Sequence, residues 1–162
     1  MKTLLIMRHA RAEEASFGQT DFERELTFQG LQQATRMGAT LAAKNLSVEA
    51  ILCSAAARTA QTAQLVAEQL HFETQNIMSE VALHNASMRV LLQYINALDE
   101  KYNTILLVGH NPAISYLPES LTHDEVGTLP TAGVVAIQIQ VEQWAMIGAN
   151  TAKLLWTEFP TE

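Results

Sequence analysis

The chain has 162 residues, of which 48% are hydrophobic, and it contains one cysteine, Cys53. This length and composition suit a single domain over residues 1–162, and one cysteine rules out an intrachain disulfide, so a cytoplasmic location is expected. The formal net charge of −7 argues against a non-specific nucleic-acid surface. No apolar run approaches the ~18 residues that argue for a membrane span, so no membrane partner is expected.

Patterns typical of strands and of helices alternate along the first two thirds of the chain. Short apolar runs predict strands buried on both faces, and apolar residues at helical spacing predict helices. In chain order the predicted elements are a strand at 3–7, a helix at 27–44, a strand at 50–53, a helix at 58–70, a helix that Ser87 caps, and a strand at 104–108. This alternation favours an α/β fold with a mostly parallel sheet.

The last third of the sequence has a different pattern. A short helix is expected after Asn111-Pro112, and Pro118 is expected to interrupt or end it. Apolar and polar residues alternate over 137–142, which predicts a strand with one solvent-exposed face, and a last strand is expected near 153–157. The predicted fold class is therefore a three-layer α/β/α sandwich with a mostly parallel central sheet, an antiparallel C-terminal part and no cap domain.

Three of the predicted strands end at residues suited to a phosphoryl group. The first strand runs into Arg8-His9, the second into Ser54 with Arg58 in the following helix, and the third into His110. Because ligands of open α/β sheets lie outside the carboxyl ends of the strands, these side chains are expected in one crevice. Arginine binds phosphate oxygens bidentately and histidine is an accepted covalent nucleophile, so this set indicates phosphoryl-transfer chemistry.

Two other kinds of site compete with this interpretation. Two histidines could bind zinc, but arginines beside them would repel a cation, and no His/Cys/carboxylate set has the usual ligand spacing. Neither a metal nor another cofactor is expected. A P-loop is excluded because no glycine-rich loop precedes Lys-Ser/Thr. His71, His84 and His123 are interpreted as surface or core residues, with His84 the strongest functional candidate of the three.

Several segments, taken in order, resemble the histidine phosphatase superfamily and in particular its SixA-type phosphohistidine phosphatases. They are Arg8-His9-Ala10, residues 21–27 followed by Gly30, residues 54–62, Val108-Gly109-His110-Asn111-Pro112, and residues 129–133. The sequence departs from the family pattern at Ala10, where most members carry glycine, and at Glu25 and Ala55, where they carry proline. The resemblance covers nearly the whole chain, and its specificity lies in the ordered set.

The resemblance implies a role for each matching residue. His9 is the nucleophile that becomes phosphorylated, Arg8 and Arg58 clamp the phosphoryl oxygens, and His110 hydrogen-bonds them. Arg24 is implied as a further phosphate contact, although a surface loop arginine is an equal alternative.

The implied function is removal of phosphoryl groups from phosphohistidine on a signalling or phosphotransfer protein. Many superfamily members use a carboxylic acid to protonate an alcohol leaving group, and Glu80 is the nearby candidate, with a solvated loop glutamate as the alternative. Two other functions stay open: a phosphomonoesterase that acts on a small metabolite or nucleotide, and a non-catalytic phosphate-binding module.

Overall fold

A six-stranded mixed sheet carries helices on both faces in the computed structural model, which describes residues 1–161. The strands are β1 (Lys2–Arg8), β2 (Ala50–Ser54), β3 (Met78–Glu80), β4 (Thr104–Gly109), β5 (Val134–Ile139) and β6 (Ala152–Glu158). The helices are α1 (Phe28–Ala43), α2 (Ala57–Gln69), α3 (Met88–Asn96) and α4 (Ala113–Thr122). The strand order is β3-β2-β4-β1-β5-β6, parallel from β3 to β1 and antiparallel at β5 and β6. The predicted fold class is confirmed.

The two faces of the sheet pack against different helices, and β1 shows why. Successive side chains of a strand point to opposite faces. Leu4 and Ile6 join the core formed with α3 and α4, whereas Leu5 and Met7 join the core formed with α1 and α2. All four side chains are completely buried, so β1 lies at the centre of the three layers. Within residues 1–161, no helix is long and apolar enough to cross a membrane.

Side-chain caps explain where two of the helices begin. Thr27 Oγ1 accepts a hydrogen bond from the backbone N–H of Gly30 at 2.9 Å, which starts α1. Ser87 Oγ accepts from the N–H of Val90 at 3.3 Å, which starts α3 and confirms the predicted cap. Each cap satisfies one of the free N–H groups at a helix start.

Two local predictions are wrong. Helix α4 continues through Pro118 to Thr122, because the lost backbone hydrogen bond is outweighed by burial of Leu117 and Leu121 on either side. The strand expected at 137–142 is β5, which lies earlier and is buried on both faces except at half-buried Gln138. Strand β5 lies between β1 and β6, so the alternating exposed pattern belongs instead to the edge strand β6.

Gly30 lies where α1 approaches the chain that leaves β1. A Cβ atom at this position would collide with the backbone carbonyl oxygen of Arg11. The same oxygen accepts a hydrogen bond from Thr27 N at 3.0 Å. Only glycine allows this approach, which fixes the backbone immediately after His9 and Ala10.

We expect Gly30→Ala to lower the free energy of unfolding by about 1–3 kcal/mol, the usual cost of overpacking. The clash is with backbone atoms, so a change of side-chain rotamer cannot relieve it. Urea denaturation followed by circular dichroism measures the change. Gly148→Ala is the matched control, since a Cβ there would meet nothing within 4 Å. Equal midpoints for the two variants would contradict this account.

Candidate active site

The carboxyl ends of β1, β2 and β4 bring the predicted site residues together. Arg8 pairs with Gly109 in the parallel register of β1 and β4, and His9 N donates to Gly109 O at 3.1 Å. The ring centroids of His9 and His110 consequently lie 5.4 Å apart. Ser54, the last residue of β2, places its Oγ 2.9 Å from Nε2 of His110. The strand ends therefore converge as the sequence predicts.

An open pocket of about 330 Å³ lies at this edge of the sheet. Its lining consists of Arg8, His9, Asp21, Arg24, Arg58, Asn85, His110 and Asn111. Five of the six predicted site residues are therefore in the lining, three of them arginines. The cationic side chains suit a small anion, although the protein as a whole is acidic.

His9 is held in the neutral form that leaves Nε2 free. The residue is 8% exposed, and its Nδ1 lies 2.7 Å from the carbonyl oxygen of Ala10. A carbonyl oxygen only accepts hydrogen bonds, so Nδ1 carries the proton and Nε2 keeps its lone pair. Burial, together with the charges of Arg58 and Arg8, lowers the pKa of His9 to about 4, and the hydrogen bond to Ala10 only partly opposes this. Nε2 can therefore act as a nucleophile at neutral pH.

His110 is a second buried, neutral imidazole. Burial lowers its pKa to about 3, with the positive charge of Arg58 acting in the same direction and the Asp21 carboxylate opposing it. Its Nε2 is hydrogen-bonded to Ser54 Oγ, while its Nδ1 is buried without a partner. A neutral ring at this position has one N–H group that can donate a hydrogen bond to an anion.

Buried side-chain nitrogens without a hydrogen-bond partner are concentrated at the pocket. Among the described residues they are Arg8 Nε, Arg58 Nε and His110 Nδ1, and all three residues belong to the pocket lining. Buried polar groups are normally paired, and an unpaired one costs about 1–3 kcal/mol. An anion bound in this pocket would therefore lie among residues that carry unpaired hydrogen-bond donors. In the part of the chain that the structure describes, no group of three or more His, Cys, Asp or Glu could hold a metal ion.

Asp21 and His84 belong to the site although sequence reasoning gave them no role. The Asp21 carboxylate accepts from Arg24 Nη1 at 2.9 Å and from Arg58 Nη2 at 3.0 Å, and it lies 2.8 Å from His84 Nε2. These contacts, His84 first, hold the pKa of Asp21 well below its usual range. Asp21 thus orients two guanidinium groups of the pocket. The position of Asp21 three residues before Arg24 is a local signal, but its other partners are 37 and 63 residues away.

Glu80 is the one predicted site residue that does not line the pocket. It ends β3 opposite Ser54 in the sheet register, and its carbonyl oxygen accepts from Ala55 N at 3.0 Å. Arg24, in contrast, lies in the lining, and its Nε donates to the carbonyl oxygen of Glu13 at 2.7 Å. An acid role for Glu80 stays a prediction.

Comparison with known proteins assigns the family. The model of the histidine phosphatase superfamily, branch 1, matches residues 4–89. The chain belongs to this superfamily. The match covers most of β1 and all of α1, β2, α2 and β3. This part of the chain contributes six residues to the pocket lining: Arg8, His9, Asp21, Arg24, Arg58 and Asn85.

Several solved structures have the same fold as this chain. The Agrobacterium tumefaciens protein named SixA has a TM-score of 0.84 and 24% identity over 98% of both chains. A protein histidine phosphatase SixA complexed with tungstate has a TM-score of 0.81 and 21% identity over 96% of this chain and 95% of that chain. A mycobacterial glucosyl-3-phosphoglycerate phosphatase has a TM-score of 0.69 and 15% identity over 94% of this chain and 96% of that chain. The resemblance to SixA proteins is confirmed.

The pKa values of the two pocket histidines predict their titration. We expect midpoints near 4 for His9 and near 3 for His110, below the usual value of about 6.5. The unfolded chain binds protons at higher pH than the folded chain, so the stability due to these groups is complete above about pH 6.5 and falls as the pH drops toward 4. NMR titration of the Cε1–H signals, assigned with His9→Gln and His110→Gln, measures the midpoints. A midpoint near 6.5 for either ring would contradict the buried, neutral state.

Proposed function

We propose that this superfamily member is a phosphohistidine phosphatase in which His9 Nε2 accepts the phosphoryl group. The observation that carries the proposal is a neutral His9 with a free Nε2 beside the unpaired donors of Arg8, Arg58 and His110. Binding alone would require the arginines, whereas a neutral imidazole with its lone pair available adds a nucleophile. This combination favours catalysis over the non-catalytic binding module.

In the first step, His9 Nε2 attacks phosphorus. The bond between phosphorus and Nε2 forms as the phosphorus–nitrogen bond of the substrate breaks, and the leaving imidazole takes up a proton from solvent. Phosphoryl transfer depends chiefly on positioning and on stabilisation of charge on the equatorial oxygens. Arg8 and Arg58 supply that charge, and His110 supplies a neutral donor.

In the second step, water attacks the phosphorus of phospho-His9. The bond to Nε2 breaks, inorganic phosphate leaves with the oxygen of the water, and a proton from the water passes to solvent. His9 returns to the neutral form that its Nδ1–H donation to Ala10 O favours. Both steps use only side chains of the pocket, and the scheme includes no metal ion.

The carboxylates near the pocket favour an imidazole as leaving group. Asp21 is the one carboxylate in the lining, and its pKa lies well below the usual range, so it carries no proton to donate at neutral pH. Glu80 lies outside the lining. A phosphorus–nitrogen bond is more labile than an alkyl phosphate ester, so it can break without a strong general acid. The proposed substrate is therefore phosphohistidine on a signalling or phosphotransfer protein of the cytoplasm.

Two of the solved structures with the same fold bear on the proposed function. A SixA protein of the same fold is described in complex with tungstate, a tetrahedral oxyanion like phosphate. Phosphomonoester hydrolysis on a small metabolite is the second candidate function, because a glucosyl-3-phosphoglycerate phosphatase also shares the fold. The two functions differ in their need for a general acid.

We expect the wild-type protein to hydrolyse a phosphohistidine-bearing carrier protein, and His9→Ala to abolish turnover because no other neutral nucleophile lies at that position. His71→Ala is the matched control, since His71 is an exposed histidine outside the pocket lining. Labelled phospho-His9, trapped by an alkaline quench, would identify the acceptor. Turnover of p-nitrophenyl phosphate or a sugar phosphate alone would favour the phosphomonoesterase, and no turnover of any substrate would favour the binding module.

We expect Glu80→Gln to change phosphohistidine turnover by less than about threefold, because the proposed leaving group needs no strong general acid. Parallel kcat/KM measurements on the carrier protein and on an alkyl phosphate test this. A loss of about 10²-fold or more on both substrates, the size of a general-acid contribution, would make Glu80 the acid and would move the assignment toward ester hydrolysis.

A further inference from the structure

Ser54 is a completely buried residue whose hydroxyl lies against a pocket histidine. Its Oγ accepts a hydrogen bond from the backbone N–H of Ala56 at 3.1 Å and lies 2.9 Å from His110 Nε2. No other acceptor for the Ser54 hydroxyl proton lies within hydrogen-bond distance in the described residues. The only acceptor for that proton is thus a lone pair on His110 Nε2.

The hydrogen atoms of the contact between Ser54 and His110 can be arranged in two ways. In the first, Ser54 O–H donates to Nε2 of the neutral ring, and Nδ1 carries the ring proton. In the second, Nε2–H donates to Ser54 Oγ, which leaves both the Ser54 proton and the Nδ1 lone pair buried and unpaired. The first arrangement leaves one unpaired buried group instead of two, and each such group costs about 1–3 kcal/mol. The hydrogen-bond pattern therefore favours the Nδ1–H tautomer.

The tautomer determines what His110 offers to an anion. An Nδ1–H group can donate to a phosphoryl oxygen, whereas an Nδ1 lone pair would repel it. Protonation of both nitrogens would remove the dependence on Ser54, but burial and the charge of Arg58 oppose it. His84 packs edge-on against His110, with 5.6 Å between ring centroids, and makes no hydrogen bond to it. Among the described residues, Ser54 is the only side chain that is hydrogen-bonded to the His110 ring.

We propose that Ser54 is a positioning residue that holds neutral His110 as its Nδ1–H tautomer, so that this N–H is the group presented to the phosphoryl oxygens. The role rests on the proposed function, because it assigns His110 as a donor during phosphoryl transfer. It acts through His110 and does not require Ser54 to touch the substrate. Ser54 is the last residue of β2, and the chain continues from there into α2, the helix that carries Arg58.

The direct test is the ¹⁵N NMR spectrum of the His110 ring in the wild-type protein at neutral pH. The expected result is a proton-bearing Nδ1 and a proton-free Nε2, assigned by comparison with His110→Gln. In Ser54→Ala we expect the Nε2–H form to appear, while Ser54→Thr, which keeps a hydroxyl, retains the wild-type pattern. A wild-type ring with its proton on Nε2, or an unchanged Nδ1–H pattern in Ser54→Ala, would overturn the proposal.

The activity readout follows from the loss of one oriented donor. We expect Ser54→Ala to lower kcat of phosphohistidine hydrolysis by about 10-fold to 10²-fold, below the full loss of a transition-state donor because part of the ring population keeps its Nδ1 proton. Ser54→Thr should restore most of the activity, and Ser79→Ala, on the neighbouring strand β3, is the matched control. Equal kcat for Ser54→Ala and Ser79→Ala would contradict the positioning role.

Failure of this proposal and failure of the proposed function give different results. Because the NMR measurement needs no substrate, a protein without phosphatase activity can still show the Ser54-dependent tautomer, and that result would overturn only the proposed function. An active protein with the Nε2–H tautomer would overturn only the role of Ser54. If Ser54→Ala does not fold, the wild-type spectrum and Ser54→Thr still decide the tautomer.

Discussion

The parallel pairing of β1 with β4 is the constraint on which the site depends. Its register sets Arg8 beside Gly109, so the residues that follow, His9 and His110, leave the sheet at the same edge. The hydrogen bond from His9 N to Gly109 O extends this pairing one residue beyond the strand. Strand β2, parallel to β4, adds Ser54 from the other side. A register shift of one residue would turn the side chains of a strand to the opposite face of the sheet, and this would disrupt both cores. The packing of the two cores therefore also maintains the geometry of the pocket.

Burial and charge act together in this pocket. Two histidines beside three arginines would repel one another if they were protonated, and burial keeps both rings neutral. The proposed reaction uses both rings in the neutral form, His9 as a nucleophile and His110 as a hydrogen-bond donor. The Asp21 carboxylate balances part of the arginine charge and holds two guanidinium groups in place. Its side chain is 45% exposed, so this ion pairing contributes more to geometry than to stability.

Sequence reasoning predicted the features that local patterns encode. The strand ends gave Arg8, His9 and His110, because polar residues directly after short apolar runs are visible in one dimension. It missed the roles of Asp21 and His84, because their contact joins segments 63 residues apart. The exposure of β5 was also mispredicted, since the position of a strand within the sheet, between two partners, depends on pairing that the alternation of residue types does not encode.

The residues proposed to bind the phosphoryl group and the segment that could deliver a proton to the leaving group come from different elements. Arg8, His9 and His110 lie at the ends of β1 and β4, Arg58 lies in the first turn of α2, and Arg24 lies in the chain between β1 and α1. Delivery of a proton would depend on the chain between α2 and α3, which here carries Glu80 outside the lining and His84 paired with Asp21. A carboxylic acid introduced on that segment would suit alkyl phosphates without any change to the phosphate contacts. Under the proposed function, the choice between phosphohistidine and a phosphate ester therefore depends on this segment and not on the residues that contact the phosphoryl group.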